Sequence, residues 1–487
     1  MSDDPQRSDL AAASHWGRRT KIVATIGPVT RSVETMTELI RAGADILRLN
    51  FSHGTRDEHA ENIAMAREAS EIAGREVGVL GDLPGPKLRI DEVEGGVVEL
   101  ETGTHVTLTT GEEVGESDHL PVTWEGLPAA VHEGEEIYLA DGRIRLRAVQ
   151  TQSDQIVCEV EVGGPVASHQ GLNVPGTDVP LPAASRTDLD WVDFAVEQGV
   201  DLLAVSFVRR AEDLQPVERR VRVAGADIPL IAKIEKQQAA QNAEAIIRAA
   251  FGGIMVARGD LGIELPIERV PMVQRHLLEL AGRHSRPSIT ATQMLASMVS
   301  SPRPTRAEVS DVSAAIFQGT DAVMLSEETA VGDHPVEAVR VMDRIARVSE
   351  PGLPYGDWVF NRAAGDTTDV ASSVARAAVG STYTLGLSAL VVPTRSGRTA
   401  RLVSSHRPRV PVLAVSPRIE TVRRLQLLFG VGCMLAEDWT SLRALLSDCA
   451  LLAKDAGIAD SGDLIGITAG LPQQELGTNM FEVHRVP

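Results

Sequence analysis

From position 20 onward the chain alternates short runs of branched apolar residues with stretches in which apolar positions recur every three or four residues. The runs fall at 21–26, 45–49, 77–80, 202–207, 230–234, 253–256, 287–291 and 322–325. Continuous apolarity, with no alternating polar face, is the mark of parallel strands buried on both sides. Eight strand–helix repeats in order predict a closed (β/α)8 TIM barrel, with an open doubly wound sheet as the alternative.

The series is interrupted after its third strand. Between 85 and 182 the pattern changes to period two, at 105–108, 137–139, 144–146 and 156–162, with turn pairs at Asp141-Gly142 and Gly163-Gly164. An all-β domain inserted at the end of a barrel strand is placed to act as a lid, or is a bystander. A helix near 335–348 is followed by a loop-like segment, 351–366. Beyond it, apolar runs at 389–392, 412–415, 433–435, 464–468 and 481–483 alternate with helical stretches such as 370–379 and 441–456, which predicts a separate α/β domain. The expected division is a tail, 1–19; a barrel, 20–84 and 183–350; an inserted β-domain, 85–182; and a C-terminal α/β domain, 351–487.

Composition narrows the function. A formal net charge of -20 disfavours nucleic acid or an anionic membrane as a partner, so an anionic metabolite needs a local basic pocket. Cys158, Cys433 and Cys449 follow no metal-type spacing and read as small buried hydrophobes in a reducing compartment. The first twenty residues lack the apolar core of a signal peptide, and no run approaches the ~20 apolar residues of a membrane span. A cytoplasmic protein is expected.

The chemistry gathers where strands end, because ligands in parallel α/β folds sit at the carboxyl ends of strands. The fifth strand runs into Lys233 and Glu235, the sixth into Arg258, Gly259 and Asp260. Two carboxylates suit Mg2+, which completes its shell with water and substrate phosphate, and a lysine beside them can neutralise a transferring phosphoryl group. Lys233 also fits a lysine merely paired with a carboxylate inside the barrel. Arg48 and Asn50 share a face of the second strand, ahead of Ser52, His53 and Gly54. Arg48 offers a planar fork for phosphate, or a rim salt bridge; His53 alone reads as a structural histidine. Asp82 ends the third strand beside Lys87 and Arg89, and Pro84-Gly85-Pro86 forms a rigid bend into the inserted domain. Thr292 ends the seventh strand, where it can relay a proton or cap a helix beginning at Gln293. Thr305 and Glu308 form a capping box. In the C-terminal domain Thr394, Ser396, Gly397 and Arg398 make a donor-rich turn for a phosphorylated effector, or a helix start capped by Ser396.

Taken in order, TKIVATIGP, ADILRLNFSHG, DLPGPKLR, IAKIE, IMVARGDLGIELP, ATQMLASM, SPRPTRAEVSDV and MLSEETA resemble the signature segments of the pyruvate kinase family, over nearly the whole chain. The resemblance implies transfer of a phosphoryl group from phosphoenolpyruvate to MgADP, giving pyruvate and ATP in the last step of glycolysis. It implies Glu235 and Asp260 as Mg2+ (or Mn2+) ligands, Lys233 and Arg48 at the phosphoryl group, and Gly259, Asp260 and Thr292 around phosphoenolpyruvate. Asn50, His53 and Arg89 match nucleotide-side positions, and the family's assembly implies a homotetramer. Its monovalent-cation site would use Asn50, Ser52, Asp82 and the carbonyl of Leu83. Leu83 and Lys87 here replace the Thr and Glu of potassium-dependent members, so a tethered ammonium at Lys87 is expected to make K+ unnecessary. Glu58, Thr187 and Glu327 also depart from the family pattern, and bear on nucleotide choice and on the SGET segment. A catalytically impaired regulatory paralogue and another Mg2+-dependent pyruvate-enolate barrel are the rival readings.

Overall fold

A computed structural model describes residues 15–111, 113–140, 142–177, 182–361, 369–439, 441–470 and 477–487. Asp141 and 362–366 from the sequence expectations lie outside these residues. The eight apolar runs form eight parallel strands: β1 (Lys21–Ile26), β2 (Ile46–Asn50), β3 (Gly78–Asp82), β4 (Leu202–Val205), β5 (Leu230–Ile234), β6 (Gly253–Ala257), β7 (Ser288–Ala291) and β8 (Ala322–Leu325). They close in sequence order, β8 pairing with β1, into a barrel. Val23, Ile46, Leu80, Ile231, Met255 and Ile289 fill its interior, and Leu427 from the C-terminal domain joins that cluster. The strands are apolar on both faces because the outer face is covered as well, by helices such as Val33–Ala42 and Pro335–Ser349.

The amino-terminal rim is held by aspartates that precede strands. Asp45, before β2, accepts from the Ile22 amide at 2.8 Å; Asp201, before β4, from the Val79 amide at 2.7 Å; Asp321, before β8, from the Ser288 amide at 3.0 Å. Each satisfies a strand-start donor that the staggered barrel leaves unpaired. Arg18 and Lys21 add buried ion pairs to Asp45 at 3.0 and 3.7 Å, and Arg75 adds a third.

The inserted segment forms a seven-stranded and a two-stranded sheet around its own core, including Ile137, Leu146, Ile156 and Cys158. Gly163-Gly164 is not a hairpin turn, as the dipeptide suggested. The chain there leaves the strand Gln155–Val162 for Gly164–Ala167 in the second sheet. A Cβ on Gly163 would sit 2.2 Å from the Leu100 carbonyl oxygen, so the glycine serves a close backbone approach.

The C-terminal sheet comprises β9 (Ala389–Pro393), β10 (Val412–Ser416), β11 (Val431–Leu435), β12 (Leu464–Ala469) and β13 (Met480–Arg485), in the order β11-β10-β9-β12-β13 with only β13 antiparallel. The segment expected to be a loop contains a helix, Tyr355–Asn361, anchored by the buried Tyr355 ring. Trp16 donates to the Ala456 carbonyl at 3.1 Å and Lys21 to that of Val431 at 2.7 Å. The residues just before β1 are therefore packed on the C-terminal domain. Among the described residues the three cysteines are free, and no helix is long and apolar enough to cross a membrane.

Candidate active site at the carboxyl ends of the barrel strands

Four barrel strands deliver one charged network. Arg48, within β2, donates to Asp82 at the end of β3 through Nε and Nη2, at 2.8 and 2.7 Å, and to the Thr25 hydroxyl of β1 at 3.0 Å. Lys233, within β5, places its ammonium 3.2 Å from Asp82, 2.9 Å from Glu235 and 2.8 Å from the Ser206 hydroxyl. Ser206 in turn donates to the Leu83 carbonyl at 2.7 Å. The second oxygen of Glu235 accepts from the Phe207 amide at 2.6 Å. That amide is turned inward by a left-handed backbone at Phe207, φ 55°.

The electrostatics follow from this geometry. Burial disfavours a charged Lys233, but Asp82 and Glu235 outweigh it and hold its pKa above the ordinary lysine value. Burial would likewise favour a protonated Asp82; Lys233 and Arg48 reverse that and keep it a carboxylate. For Glu235, burial and the neighbouring Asp260 charge push the pKa up against the pull of Lys233. Glu235 and the half-buried Asp260 thus repel one another, which a divalent cation would relieve. No cluster of three His, Cys, Asp or Glu side chains able to cage a metal exists among the described residues. Two carboxylates, with the remaining positions left to water and substrate oxygens, are a donor set that suits Mg2+ and not an all-protein Zn2+ or Ca2+ cage.

Asp260 and Gly259 lie in the first turn of the short helix Arg258–Glu264. The Gly259 amide donates to the Thr292 hydroxyl at 2.8 Å, joining the ends of β6 and β7. Thr292 is not a helix cap: the chain after it turns through left-handed residues, φ 70° at Thr292 and 54° at Gln293, before a single 3-10 turn, Ala296–Val299. A β-branched residue in that region is strained. Arg258 holds it there, donating to the Thr292 carbonyl at 2.7 Å and to Asp311 at 2.7 Å.

Asn50 accepts from the Ser52 amide at 3.2 Å, closing the loop after β2. His53 is exposed in that loop, and Arg89 donates to the His169 carbonyl of the inserted domain at 3.0 Å. Among the described residues neither bonds to the Lys233 network. The Lys87 stem and ammonium lie against Gly171 of the inserted domain, and the cations acting most strongly on Asp82 are Lys233 and Arg48. In the Thr394–Arg398 turn the Gly397 amide is satisfied by the Thr394 hydroxyl at 3.0 Å, not by Ser396, and Arg398 pairs with Asp369 at 2.6 Å.

Two of the departures from the family pattern, Glu58 and Glu327, have local explanations. Glu58 closes a capping box with Thr55 and pairs with Arg31 at 2.7 Å. The T-x-x-E spacing was the signal for it. Glu327 is exposed at the first position of the helical turn Glu327–Ala330, the end of a helix at which a carboxylate is favoured. Nothing in the structure explains Thr187. Ser206, Phe207, Thr25 and Glu328 were not picked out by sequence. Glu328 is buried and accepts from the amides of Leu295 at 3.0 Å and Ser326 at 2.7 Å, so it holds the β7 and β8 loops together. The "SFV" ending of β4 was the only hint of Ser206.

Comparison with known proteins agrees with this architecture. The chain matches the family models for the pyruvate kinase barrel domain over residues 17–339 and the pyruvate kinase alpha/beta domain over 372–484. It is 41% identical over 472 residues to the pyruvate kinase of Bacillus licheniformis, covering 96% of this chain and 80% of that protein. It is 42% identical over 471 residues to that of Geobacillus stearothermophilus, with the same coverage. With that of Thermococcus litoralis it is 39% identical over 478 residues, 96% of this chain and 99% of the relative. Barrel, inserted β-domain and C-terminal α/β domain carry similarity that extends through the site-bearing strand ends, and the chain belongs to the pyruvate kinase family.

Proposed function

We propose that the chain transfers a phosphoryl group from phosphoenolpyruvate to MgADP, giving pyruvate and ATP as the last step of glycolysis. The observation that carries this reading is a charged Lys233 held between Asp82, Glu235 and Ser206, beside Arg48. It is an anion-neutralising centre in which no side chain need act as nucleophile, because an ADP oxygen attacks phosphorus directly.

Glu235 and Asp260 would hold Mg2+ or Mn2+, which supplies charge neutralisation at the phosphate oxygens when bound. Arg48 and Lys233 orient and neutralise the phosphoryl group on its other side. Gly259, Asp260 and Thr292 face the carboxylate and enolate of phosphoenolpyruvate, and Asn50, His53 and Arg89 lie toward the nucleotide. The bond between phosphorus and the enolate oxygen breaks as the bond to ADP forms, and the enolate carbon then takes a proton. The Thr292 hydroxyl can relay it through water once it gives up its 2.6 Å bond to the Ala291 carbonyl. Chelating divalent ions should abolish pyruvate formation and added Mg2+ should restore it. Activity that survives chelation would contradict the metal-dependent reading.

K+ independence rests on three features. Leu83 and Lys87 replace the potassium-type pair, the Leu83 carbonyl is engaged by Ser206, and Asp82 already carries two cations. Together they leave the Asn50, Ser52, Asp82 and Leu83 site little to offer another ion. In tetramethylammonium buffer, adding KCl is expected to change the rate by less than about twofold; stimulation of about tenfold or more would sink the idea. The same reading places the enzyme in the cytoplasm, as a homotetramer, with the Thr394, Ser396, Gly397 and Arg398 turn as the candidate site for a phosphorylated effector.

A further inference from the structure

Glu235 and Asp260, the two carboxylates assigned to the divalent ion, come from different strand ends and repel one another. Something must hold them at the spacing the ion needs. Glu235 is gripped directly, by the Phe207 amide at 2.6 Å and by Lys233 at 2.9 Å. Among the described residues no hydrogen bond or ion pair holds the Asp260 carboxylate, so its position follows the helix Arg258–Glu264.

That helix ends in a tie back to the residue beside Glu235. Lys236 donates to the Glu264 carboxylate at 2.5 Å. Glu264 lies four residues beyond Asp260, on the same helix face, so a grip on the one sets the rotation of the other about the helix axis. The Lys236 ammonium also sits 5.9 Å over the Phe207 ring. Lys236 therefore meets the support of each ligand: Phe207, whose amide holds Glu235, and Glu264, whose helix carries Asp260.

Local stability does not account for the pair. Glu264 is 4% exposed, its Oε2 is buried without a hydrogen bond, and Lys236 is its one charged partner among the described residues. A carboxylate in the last turn of a helix faces carbonyl dipoles of its own sign. Buried ion pairs gain little over apolar packing of similar volume. We propose that Lys236 and Glu264 form a positioning strut, which holds Glu235 and Asp260 at the separation that receives a divalent cation. The proposal rests on the metal reading above and adds to it two residues that act through the ligands.

The probe is Mn2+ alone, with the free ion followed by electron paramagnetic resonance in the absence of nucleotide and phosphoenolpyruvate. Subtracting the Asp260→Asn chain separates this site from the acidic surface. In Lys236→Met the site's dissociation constant is expected to rise about tenfold or more. Charge alone predicts the opposite, since deleting a nearby cation favours a bound one, so a loss of affinity reports position. The double variant Lys236→Met with Glu264→Gln removes the pair without stranding a buried carboxylate. It should regain the thermal midpoint but not the Mn2+ affinity, and it carries the test if Lys236→Met does not fold. Lys236→Arg, which keeps a charged donor, should bind Mn2+ within about threefold of the original chain. In pyruvate assays of Lys236→Met the Mg2+ requirement should rise about tenfold, with turnover at saturating Mg2+ changed by less than about threefold. Unchanged or tighter Mn2+ binding in Lys236→Met, or affinity that returns with the midpoint in the double variant, would overturn the strut and leave the metal reading standing. If the original chain and Asp260→Asn bind Mn2+ alike, the metal reading falls and the strut falls with it.

Discussion

Replacing Lys233 with methionine is expected to reduce turnover by about three orders of magnitude or more, while phosphoenolpyruvate still binds. The ammonium is the only lysine charge in contact with both Asp82 and Glu235 among the described residues, and those carboxylates keep it protonated against burial. Methionine preserves the length and volume of the side chain and deletes the charge. The loss therefore falls on the charge developing as the phosphoryl group moves, more than on the ground state. Arg48 remains on Asp82 at 2.7 Å, so one anion-binding group survives in the ground state. Coupled pyruvate assays and calorimetry with phosphoenolpyruvate and Mg2+ separate the two effects. Near-normal turnover would refute the role assigned to Lys233.

Asp45→Asn should destabilise the fold by roughly 3–5 kcal/mol, the cost of leaving buried charges without their partner. Asp45 is fully buried and answers Arg18, Lys21 and Arg75 while accepting the Ile22 amide at 2.8 Å. Asparagine keeps the shape and one acceptor, so the amide bond can persist. What it cannot supply is charge. Burial already holds the Lys21 pKa below 10.5, and Asp45 is the largest influence raising it. Without Asp45 the folded pKa falls further, and the unfolded chain binds more protons than the folded one between the two values. The penalty is full at pH values below the folded pKa and shrinks as pH rises through it toward 10.5. Urea midpoints across neutral to alkaline pH measure this. A deficit that is absent at neutral pH, or that widens with rising pH, contradicts the account.

Sequence showed the barrel plainly because its strands carry no polar alternation to confuse them with surface strands. Lys233, Glu235, Asp260 and Thr292 were legible because each falls at or beside a strand end within a recognisable segment. Other parts of the site depend on neighbours far apart in the chain. Ser206 matters because it bridges Lys233 and the Leu83 carbonyl, and Thr25 because it receives Arg48 from the adjacent strand. Neither pairing leaves a trace in local spacing. Phe207 contributes through a backbone amide, to which its side-chain identity gives no clue. Thr292 was open to reading as a cap because propensity favours a helix after it. The Arg258 contacts that hold the left-handed turn are tertiary and override that preference. Lys87 likewise has a neighbour, Gly171 of the inserted domain, that lies far away in the chain and leaves no trace in local spacing.

The central claim is that phosphorus passes from phosphoenolpyruvate to ADP at the network of Arg48, Lys233, Glu235 and Asp260. Phosphorus NMR of the purified protein with phosphoenolpyruvate, ADP and Mg2+, with pyruvate quantified in parallel, tests it most directly. The account predicts ATP and pyruvate appearing in equal amounts as phosphoenolpyruvate disappears. Pyruvate accompanied by inorganic phosphate without ATP, or phosphoenolpyruvate left unconsumed, would contradict it.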